Sequence, residues 1–512
     1  SGISGLGNEA VTISDTSLAV ATLNTLDGST SGAVNAATVT TLTGGAAAMN
    51  TAYASNGITG LANEAITLDD TSLAVATLNT LNGNTTGVVN AATVTTLTGA
   101  AAAMNTAYTA GGNGEISNLG NEAITLDDTT LAATVLNTLD GNTTGAVNAA
   151  SVTTLTGLGG DLNVSYASSG ITGLGNEAVT LSDITIDGSV LNTLDGNTTG
   201  TVNASALTTI SGSAADANTA YASGGISGLG NEIASISDVS IAASVLNTLD
   251  GNTTGEVNGT NITTITGAAA TINTTYASSG ITNLGNETIT ISDTTLAISV
   301  LSTLDGNTTG AINIDSVNTL TGTAQEALTI NTSSGITWTG VDATWTLSGT
   351  ISVANLNTLY AYGRHSLING ATIQEGDIAT LLTLSEYTYA TINVTDTTAN
   401  VYDIYRLDNN YGPDLSLSTI NSITGTKAQL AYFAINYGQN DITGLGNEAL
   451  TVTDGSITVT EANILDGLTT GVVTATISTT SSSTLATLTG TGNAYTITVA
   501  DTTATAANLN SI

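Results

Sequence analysis

Cysteine is absent from this 512-residue sequence, and histidine, proline and phenylalanine each occur once. Without cysteine the chain has neither disulfides nor thiolate metal sites. With a single histidine, and no nucleophile elbow or Gly-rich phosphate loop, it cannot form a catalytic triad or a P-loop. These absences argue against most classes of enzyme.

Positive charge is also scarce, since 40 Asp and Glu stand against three Lys and Arg and give a formal net charge of −37. A nucleic-acid partner is excluded because no basic surface could neutralise phosphates. The same charge argues against docking on anionic membranes. No apolar run approaches the ~18 residues of a membrane span. The sequence begins at Ser1 with neither Met nor a signal peptide, which predicts a processed or excised chain.

What the sequence has in abundance is repetition. The stretch Leu246-Asn-Thr-Leu-Asp-Gly-Asn-Thr-Thr-Gly255 has near copies that usually begin 55 residues apart. A weaker form, such as Met49-Asn-Thr-Ala-Tyr53, lies within each unit, so one structural turn occupies ~27 residues. A fixed period of this length is typical of a solenoid. The other copies begin at Leu23, Leu78, Leu136, Leu191 and Leu301.

One asparagine recurs on the helical turn of each coil. An exposed position would not keep one residue type through ten turns, so we expect these side chains to lie inward and to bond backbone groups of the adjacent coil as a ladder. An exposed polar position is the alternative. The ladder comprises Asn24, Asn50, Asn79, Asn105, Asn137, Asn163, Asn192, Asn218, Asn247 and Asn273.

The coil that follows Gly170 illustrates the expected secondary structure. Ile171–Leu174 and Ala178–Ser182 are β-branched or alternating runs that predict short strands. Asp183 occupies the expected N-cap position, and the apolar residues within 190–194 predict a short helix that ends at Asp195-Gly196. Strands linked in this way pair in parallel. The sequence therefore predicts a parallel β-solenoid, right-handed, with two short strands and one short helical turn per coil and about 19 coils.

The wording of the repeat divides the chain into three parts. Residues 1–322 are regular 55-residue units of two coils, residues 323–440 are divergent and aromatic-rich, and residues 441–512 resume the repeat with shorter coils. Degenerate helical turns can be placed in the divergent part, so we expect the solenoid to continue through it. Those turns are at 356–359, 381–384, 401–407 and 427–433.

The divergent part also contains the basic residues and both tryptophans. Aromatic and arginine residues concentrated in one place have the composition of an interface. The alternative is that the aromatics fill a wider core. The basic residues favour contact with the acidic surface of another copy. The interface candidates are Trp338, Trp345, Arg364, His365, Arg406 and Lys427.

Carboxylates recur in rows, and catalysis needs one site rather than a row. Ca²⁺ accepts carboxylate and carbonyl oxygens, so it is the one cofactor that these rows suggest. Equivalent carboxylates lie two coils, roughly 10 Å, apart, too far to share an ion unaided. Helix capping is the competing role for the aspartates. The metal candidates are Asp183, Asp238, Asp293, Glu177, Glu232 and Glu287.

The wording of the units resembles a known kind of protein. Gly170-Ile-Thr-Gly-Leu-Gly-Asn-Glu-Ala-Val-Thr180 followed by Val190-Leu-Asn-Thr-Leu-Asp-Gly-Asn-Thr-Thr-Gly200 resembles the tandem repeats of very large secreted cell-surface proteins of marine picocyanobacteria. The resemblance covers Ser1 to about Gly322 well and 441–512 moderately. It implies an extracellular structural or adhesive role and supplies no binding residue.

These features together predict a non-enzymatic protein, located outside the cell or on its surface, that self-associates into a fibre or surface layer. The last residues, Leu509–Ile512, fall inside the repeat, and Ser1-Gly2 matches what would follow, which suggests head-to-tail stacking. A chain that continues beyond these residues predicts the same pattern. Cell-surface polysaccharide is a second candidate partner. The alternatives are an adhesin stalk within a giant chain and a β-helix enzyme that acts on polysaccharide.

Overall fold

The computed structural model describes residues 7–337, 343–361, 365–385, 389–411, 415–436 and 442–512. In the regular repeats a short helix is followed by two strands, and the next helix is followed by three. The described residues form two compact units. The first unit consists of the described residues within 1–239, 245–262 and 278–283, and the second of those within 240–244, 263–277 and 284–512.

Nineteen helices occur in the described residues, most of them two to three turns long. They are α1 Val20–Asp27, α2 Ala46–Ala54, α3 Val75–Asn84, α4 Ala101–Gly112, α5 Ala133–Asn142, α6 Gly159–Ala167, α7 Gly188–Asn197, α8 Ala214–Ala222, α9 Ala243–Asn252, α10 Ala269–Ala277, α11 Ile298–Asn307, α12 Ala324–Asn331, α13 Val353–Ala361, α14 Ile378–Leu381, α15 Val401–Asn410, α16 Lys427–Asn436, α17 Val459–Asp466, α18 Ser482–Leu485 and α19 Ala506–Asn510.

The strands are shorter still, mostly two to four residues. The strands before Ser240 are β1 Val11–Thr12, β2 Ser17–Ala19, β3 Val34–Asn35, β4 Thr41–Gly44, β5 Ile58–Thr59, β6 Ala65–Leu68, β7 Ser72–Ala74, β8 Val89–Asn90, β9 Thr96–Gly99, β10 Ile116–Ser117, β11 Ala123–Leu126, β12 Thr130–Ala132, β13 Val147–Asn148, β14 Thr154–Gly157, β15 Ile171–Thr172, β16 Ala178–Leu181, β17 Thr185–Asp187, β18 Val202–Asn203, β19 Thr209–Gly212, β20 Ile226–Ser227 and β21 Ile233–Ile236. The remainder are β22 Ser240–Ala242, β23 Val257–Asn258, β24 Thr264–Gly267, β25 Ile281–Thr282, β26 Thr288–Ile291, β27 Thr295–Ala297, β28 Ile312–Asn313, β29 Thr319–Thr323, β30 Ile336–Thr337, β31 Ala343–Ser348, β32 Thr350–Ile351, β33 His365–Ile373, β34 Tyr389–Thr391, β35 Thr398–Asn400, β36 Ser422–Gly425, β37 Ala449–Val452, β38 Val473–Thr476 and β39 Ala494–Thr496.

Strands pair in parallel between successive coils, in ladders that run obliquely. In one ladder β2 pairs with β4, β4 with β6, β6 with β8 and β8 with β10. Ser17 stands opposite Thr41 and Thr41 opposite Ala65, so each of these steps is 24 residues. Successive ladder asparagines are 26 or 29 residues apart, except for the 32-residue step from Asn105 to Asn137. Because the strand pairing usually advances by fewer residues than one coil contains, the paired strands change position within successive coils. The strand ladder begins with β2, which precedes a helix, and ends with β10, which follows one.

The core of each compact unit is formed by the apolar side chains that the helix and the strands of every coil bury. In the α3 coil, Leu78 and Leu81 of the helix, Val89 of β8 and Leu97 of β9 are fully buried. Leu78 and Leu81 lie three residues apart and so share one helix face. Each such burial stabilises the fold by about 1.5–3 kcal/mol.

The solenoid prediction is confirmed, with two differences in detail. Each 55-residue unit contains a strand that was not predicted, such as β17, which lies immediately before the helix. Helix α7 also continues through Asp195-Gly196 to Asn197. The segment from Tyr108 to Ile116 is three residues longer than the equivalent segment from Tyr53 to Ile58, and α4 has 12 residues, against nine in α2. The helices expected at 356–359, 401–407 and 427–433 correspond to α13, α15 and α16. Helix α14 lies at Ile378–Leu381 and so ends where the turn expected at 381–384 was to begin.

Candidate functional site

The recurring aspartates bind a helix of the preceding coil. Asp183 Oδ2 accepts a 2.8 Å hydrogen bond from the backbone N–H of Gly159, the first residue of α6. An α-helix leaves its first four N–H groups without internal partners, and a carboxylate there also favours the helix dipole. The equivalent bonds join Asp70 to Ala46, Asp128 to Ala101, Asp238 to Ala214 and Asp293 to Ala269.

The prediction that Asp183 caps the helix that follows it is therefore wrong. The N-cap of α7 is Asp187, whose carboxylate accepts from the N–H of Ser189. The strand Thr185–Asp187 separates Asp183 from α7. Capping is the role of the aspartate row, but it acts between coils.

The recurring glutamates are buried and bound by hydrogen-bond donors. Glu287 is fully buried, and its Oε2 accepts from the hydroxyl of Tyr276 at 2.7 Å and from the N–H of Gly285 at 2.8 Å. Its backbone carbonyl accepts from the hydroxyl of Thr308 at 2.9 Å. This corner thus joins a helix end, a turn and the next coil. The same tyrosine–glutamate bond occurs in Tyr53–Glu64, Tyr108–Glu122, Tyr166–Glu177 and Tyr221–Glu232.

The tyrosines at these corners hold their protons firmly. Burial, together with the neighbouring carboxylate of Glu232, raises the pKa of Tyr221 to about 12. Burial and Glu287 likewise raise the pKa of Tyr276. A hydroxyl that stays protonated remains a donor to the carboxylate across the whole neutral range.

The arrangement around these carboxylates does not resemble a cation site. The partners of Oε2 in Glu177, Glu232 and Glu287 are O–H and N–H donors. Such donors stabilise an anion and are not the carboxylate or carbonyl oxygens that Ca²⁺ binds. In the same three residues Oε1 is buried without a hydrogen-bond partner. Within the described ranges, no three His, Cys, Asp or Glu side chains are grouped so that they could hold a metal ion. Asp183, Asp238 and Asp293 bind helix N–H groups, as described above.

The asparagines form hydrogen bonds from each helix to the next. Asn218 Nδ2 donates to the carbonyl of Val245 at 3.0 Å, and its Oδ1 accepts from Asn252 Nδ2 at 2.8 Å. These side chains are half-buried rather than fully inward. The bonds to the next helix are made by Asn24, Asn50, Asn79, Asn105, Asn137, Asn163, Asn192 and Asn273 as well. Asn247 also has an interaction partner.

One interface candidate of the divergent part lies in the core. Trp345 lies in β31 opposite Leu320 and is fully buried, so it cannot form a surface contact. It replaces a leucine in the ladder, as the wider-core alternative predicted. Trp338 and Arg364 lie outside the described residues, as does the side chain of His365.

The other two candidates are exposed and accompany exposed tyrosines. The Arg406 side chain is 46% exposed, and its guanidinium lies 3.8 Å from Asp403. Lys427 is 41% exposed and pairs with Glu461 at 3.1 Å. Tyr402, Tyr405 and Tyr432 lie on the same two helices, α15 and α16, and are exposed. These tyrosines were not singled out from the sequence, although residues 323–440 were recognised as aromatic-rich.

None of the helices within the described ranges combines the length and the hydropathy of a membrane span. No family model and no curated protein matches the chain. Among solved structures, the chain is similar to the leucine-rich-repeat ectodomain of the Arabidopsis receptor kinase HAESA in complex with an N-terminally extended IDA peptide hormone. That alignment has 12% identity and a TM-score of 0.15, and it covers 92% of this chain and 78% of that one. HAESA in complex with IDA and the co-receptor SERK1 gives 12% identity, 92% and 70% coverage and a TM-score of 0.11. Because TM-scores this low support no structural argument, the solenoid fold is shown by the strand pairing within this chain.

Proposed function

We propose that this chain is a non-enzymatic structural repeat protein that works outside the cell or at its surface and self-associates into a fibre or surface layer. The observation that carries the proposal is the use of the recurring polar residues. Each described row of Asp, Glu and Asn makes hydrogen bonds between neighbouring coils or within a corner, as in Asp183 with Gly159 and Asn218 with Val245. Such rows build length and stiffness.

The same observation weighs against a glycosidase. That chemistry needs two carboxyl groups facing a cleft, one of them free to donate a proton. The fully buried carboxylates, such as Glu232, accept hydrogen bonds from a tyrosine and a turn N–H. Those carboxylates have no access to a substrate.

Self-association is supported by the contrast between two surfaces. Most of the chain is strongly acidic, whereas α15 and α16 carry exposed tyrosines and two of the three basic residues. Divalent cations such as Ca²⁺ would act between copies, by screening a net charge of −37. The adhesin stalk shares this fold, and cell-surface polysaccharide is the partner that it would require.

Multi-angle light scattering of the purified chain across a concentration series tests the proposal. A subunit of a fibre or layer gives a mass that rises with protein concentration and with added Ca²⁺. A stalk segment stays at 50.5 kDa throughout. A mass that never departs from the monomer value contradicts the proposed self-association.

A further inference from the structure

The exposed aromatic side chains of the described residues occur in one place. Tyr402 and Tyr405 on α15 are 53% and 37% exposed, and Tyr432 on α16 is 52% exposed. The other described aromatic side chains are buried or half-buried. We call the surface formed by these three tyrosines and Arg406 the tyrosine patch.

The patch lies where the regular coils carry their asparagine ladder. Val401 and Ile404 of α15 are buried as Val20 and Leu23 of α1 are, so Tyr405 occupies the position that Asn24 occupies in α1. The rings of Tyr405 and Tyr432 meet edge to face, with centroids 5.6 Å apart and an angle of 88° between their planes. Edge-to-face pairing is a favourable aromatic geometry, so the two rings present one fixed surface.

The charge of the patch differs from the charge of the rest of the chain. Arg406 and Lys427 are two of only three basic residues, and both are exposed. At 3.8 Å, the pair between Arg406 and Asp403 is loose, which leaves guanidinium donors for another carboxylate. Asp403 lies beside Arg406 and Glu461 beside Lys427, so the surface at and around the patch carries both signs of charge. Two copies that each carry −37 repel each other least where such a surface is turned toward its equivalent.

We propose that the tyrosine patch docks against the tyrosine patch of a second copy of this chain, as a two-fold lateral contact that cross-links assembled chains. The inference rests on the proposed self-association and specifies one of its contacts. Tyrosine and arginine are enriched at the energetic centres of protein interfaces. A two-fold contact uses the same surface on both partners, so Arg406 of each copy meets the acidic residues around the other patch.

The test replaces the patch with residues that the regular helices already carry. The variant Tyr402→Ala, Tyr405→Asn, Arg406→Thr and Tyr432→Thr copies Ala21, Asn24, Thr25 and Thr51 of α1 and α2. Because the regular coils fold with these residues, the variant retains the fold, which circular dichroism verifies. The control variant, Thr193→Ala with Thr219→Ala, changes exposed helix positions of regular coils. Sedimentation velocity on all three proteins measures association.

We expect the patch variant to associate at least about tenfold more weakly than wild type, a difference of about 1.4 kcal/mol, and the control to match wild type. Unchanged association of a folded patch variant overturns the patch contact and leaves the proposed function standing. A wild-type chain that stays monomeric at all concentrations overturns both. A patch variant that still self-associates but no longer binds a neutral glucan would show that the patch binds saccharide instead. That result would also overturn the inference.

Discussion

The carboxylate of Asp70 accepts a 2.7 Å hydrogen bond from the N–H of Ala46, which begins a helix 24 residues earlier in the chain. The residue that precedes this helix, Gly45, has no side chain that could cap it. Each such aspartate therefore caps the start of a helix, as an N-cap residue does, although it comes from the next coil. The hydrogen bond thus connects one coil to the coil before it.

Replacing Asp70 with alanine should destabilise the protein by about 1 kcal/mol, the usual cost of a lost helix cap. The adjacent Asp69 is exposed, and its carboxylate makes no hydrogen bond to the described residues. Asp69→Ala is thus a matched control that removes the same charge. Urea denaturation of both variants compares the two free energies of unfolding. Equal losses would show that charge, and not the bond to Ala46, is responsible.

This bond also marks what the sequence could and could not predict. The coil length and the helix positions follow from the spacing of repeated apolar residues. They were predicted in the regular part and, apart from α14, in the divergent part. Sequence order shows that Asp183 precedes α7, but it does not show that the start of α6 lies beside that carboxylate. That neighbour depends on the offset between coils, which is fixed by the oblique strand ladder.

Trp345 illustrates a second limit. Composition shows that tryptophan is concentrated in the divergent part, but it does not give the direction of the side chain. In a strand, a shift of one residue turns a side chain from the core to solvent. The register that pairs Trp345 with Leu320 places it in the core.

The tyrosine hydroxyls at the corners should matter more for stability than the exposed ones. Tyr276→Phe removes one of the two donors to Oε2 of the buried Glu287 carboxylate. An unsatisfied buried group costs about 1–3 kcal/mol, more when it is charged. We expect a loss in that range, measured by urea denaturation. Tyr402→Phe, at an exposed position, is the control and should change little. A Tyr276→Phe protein as stable as wild type would show that the corner does not depend on this hydroxyl.

Alkaline pH should separate the corner tyrosines from ordinary ones. The folded pKa of Tyr221 is about 12, and that of tyrosine in an unfolded chain is about 10. Because the folded value is raised, the stabilisation is fully present below pH ~10 and is lost as the pH rises toward 12. Phenolate absorbance should therefore show a late class of tyrosines in the folded protein, and a single class near pH 10 in urea. One class in both conditions would contradict the buried pairs.

Chelation should affect association more than folding. The buried carboxylates of the corners, such as Glu232, accept O–H and N–H donors through Oε2, while the net charge of −37 makes neighbouring copies repel one another. We expect a chelator to loosen assemblies, seen by light scattering, while far-ultraviolet circular dichroism stays unchanged. A loss of secondary structure on chelation would show that an ion is integral to the coils.

The most direct test of the proposed role is electron microscopy of the purified chain, with the intact mass of the same sample measured alongside. Self-association into a fibre would give filaments many times longer than one chain, built from polypeptides of 50.5 kDa. Lateral contacts through the tyrosine patch would join these filaments into bundles or a layer. Single particles that never exceed one chain in length, at any concentration and with Ca²⁺ present, would contradict the account.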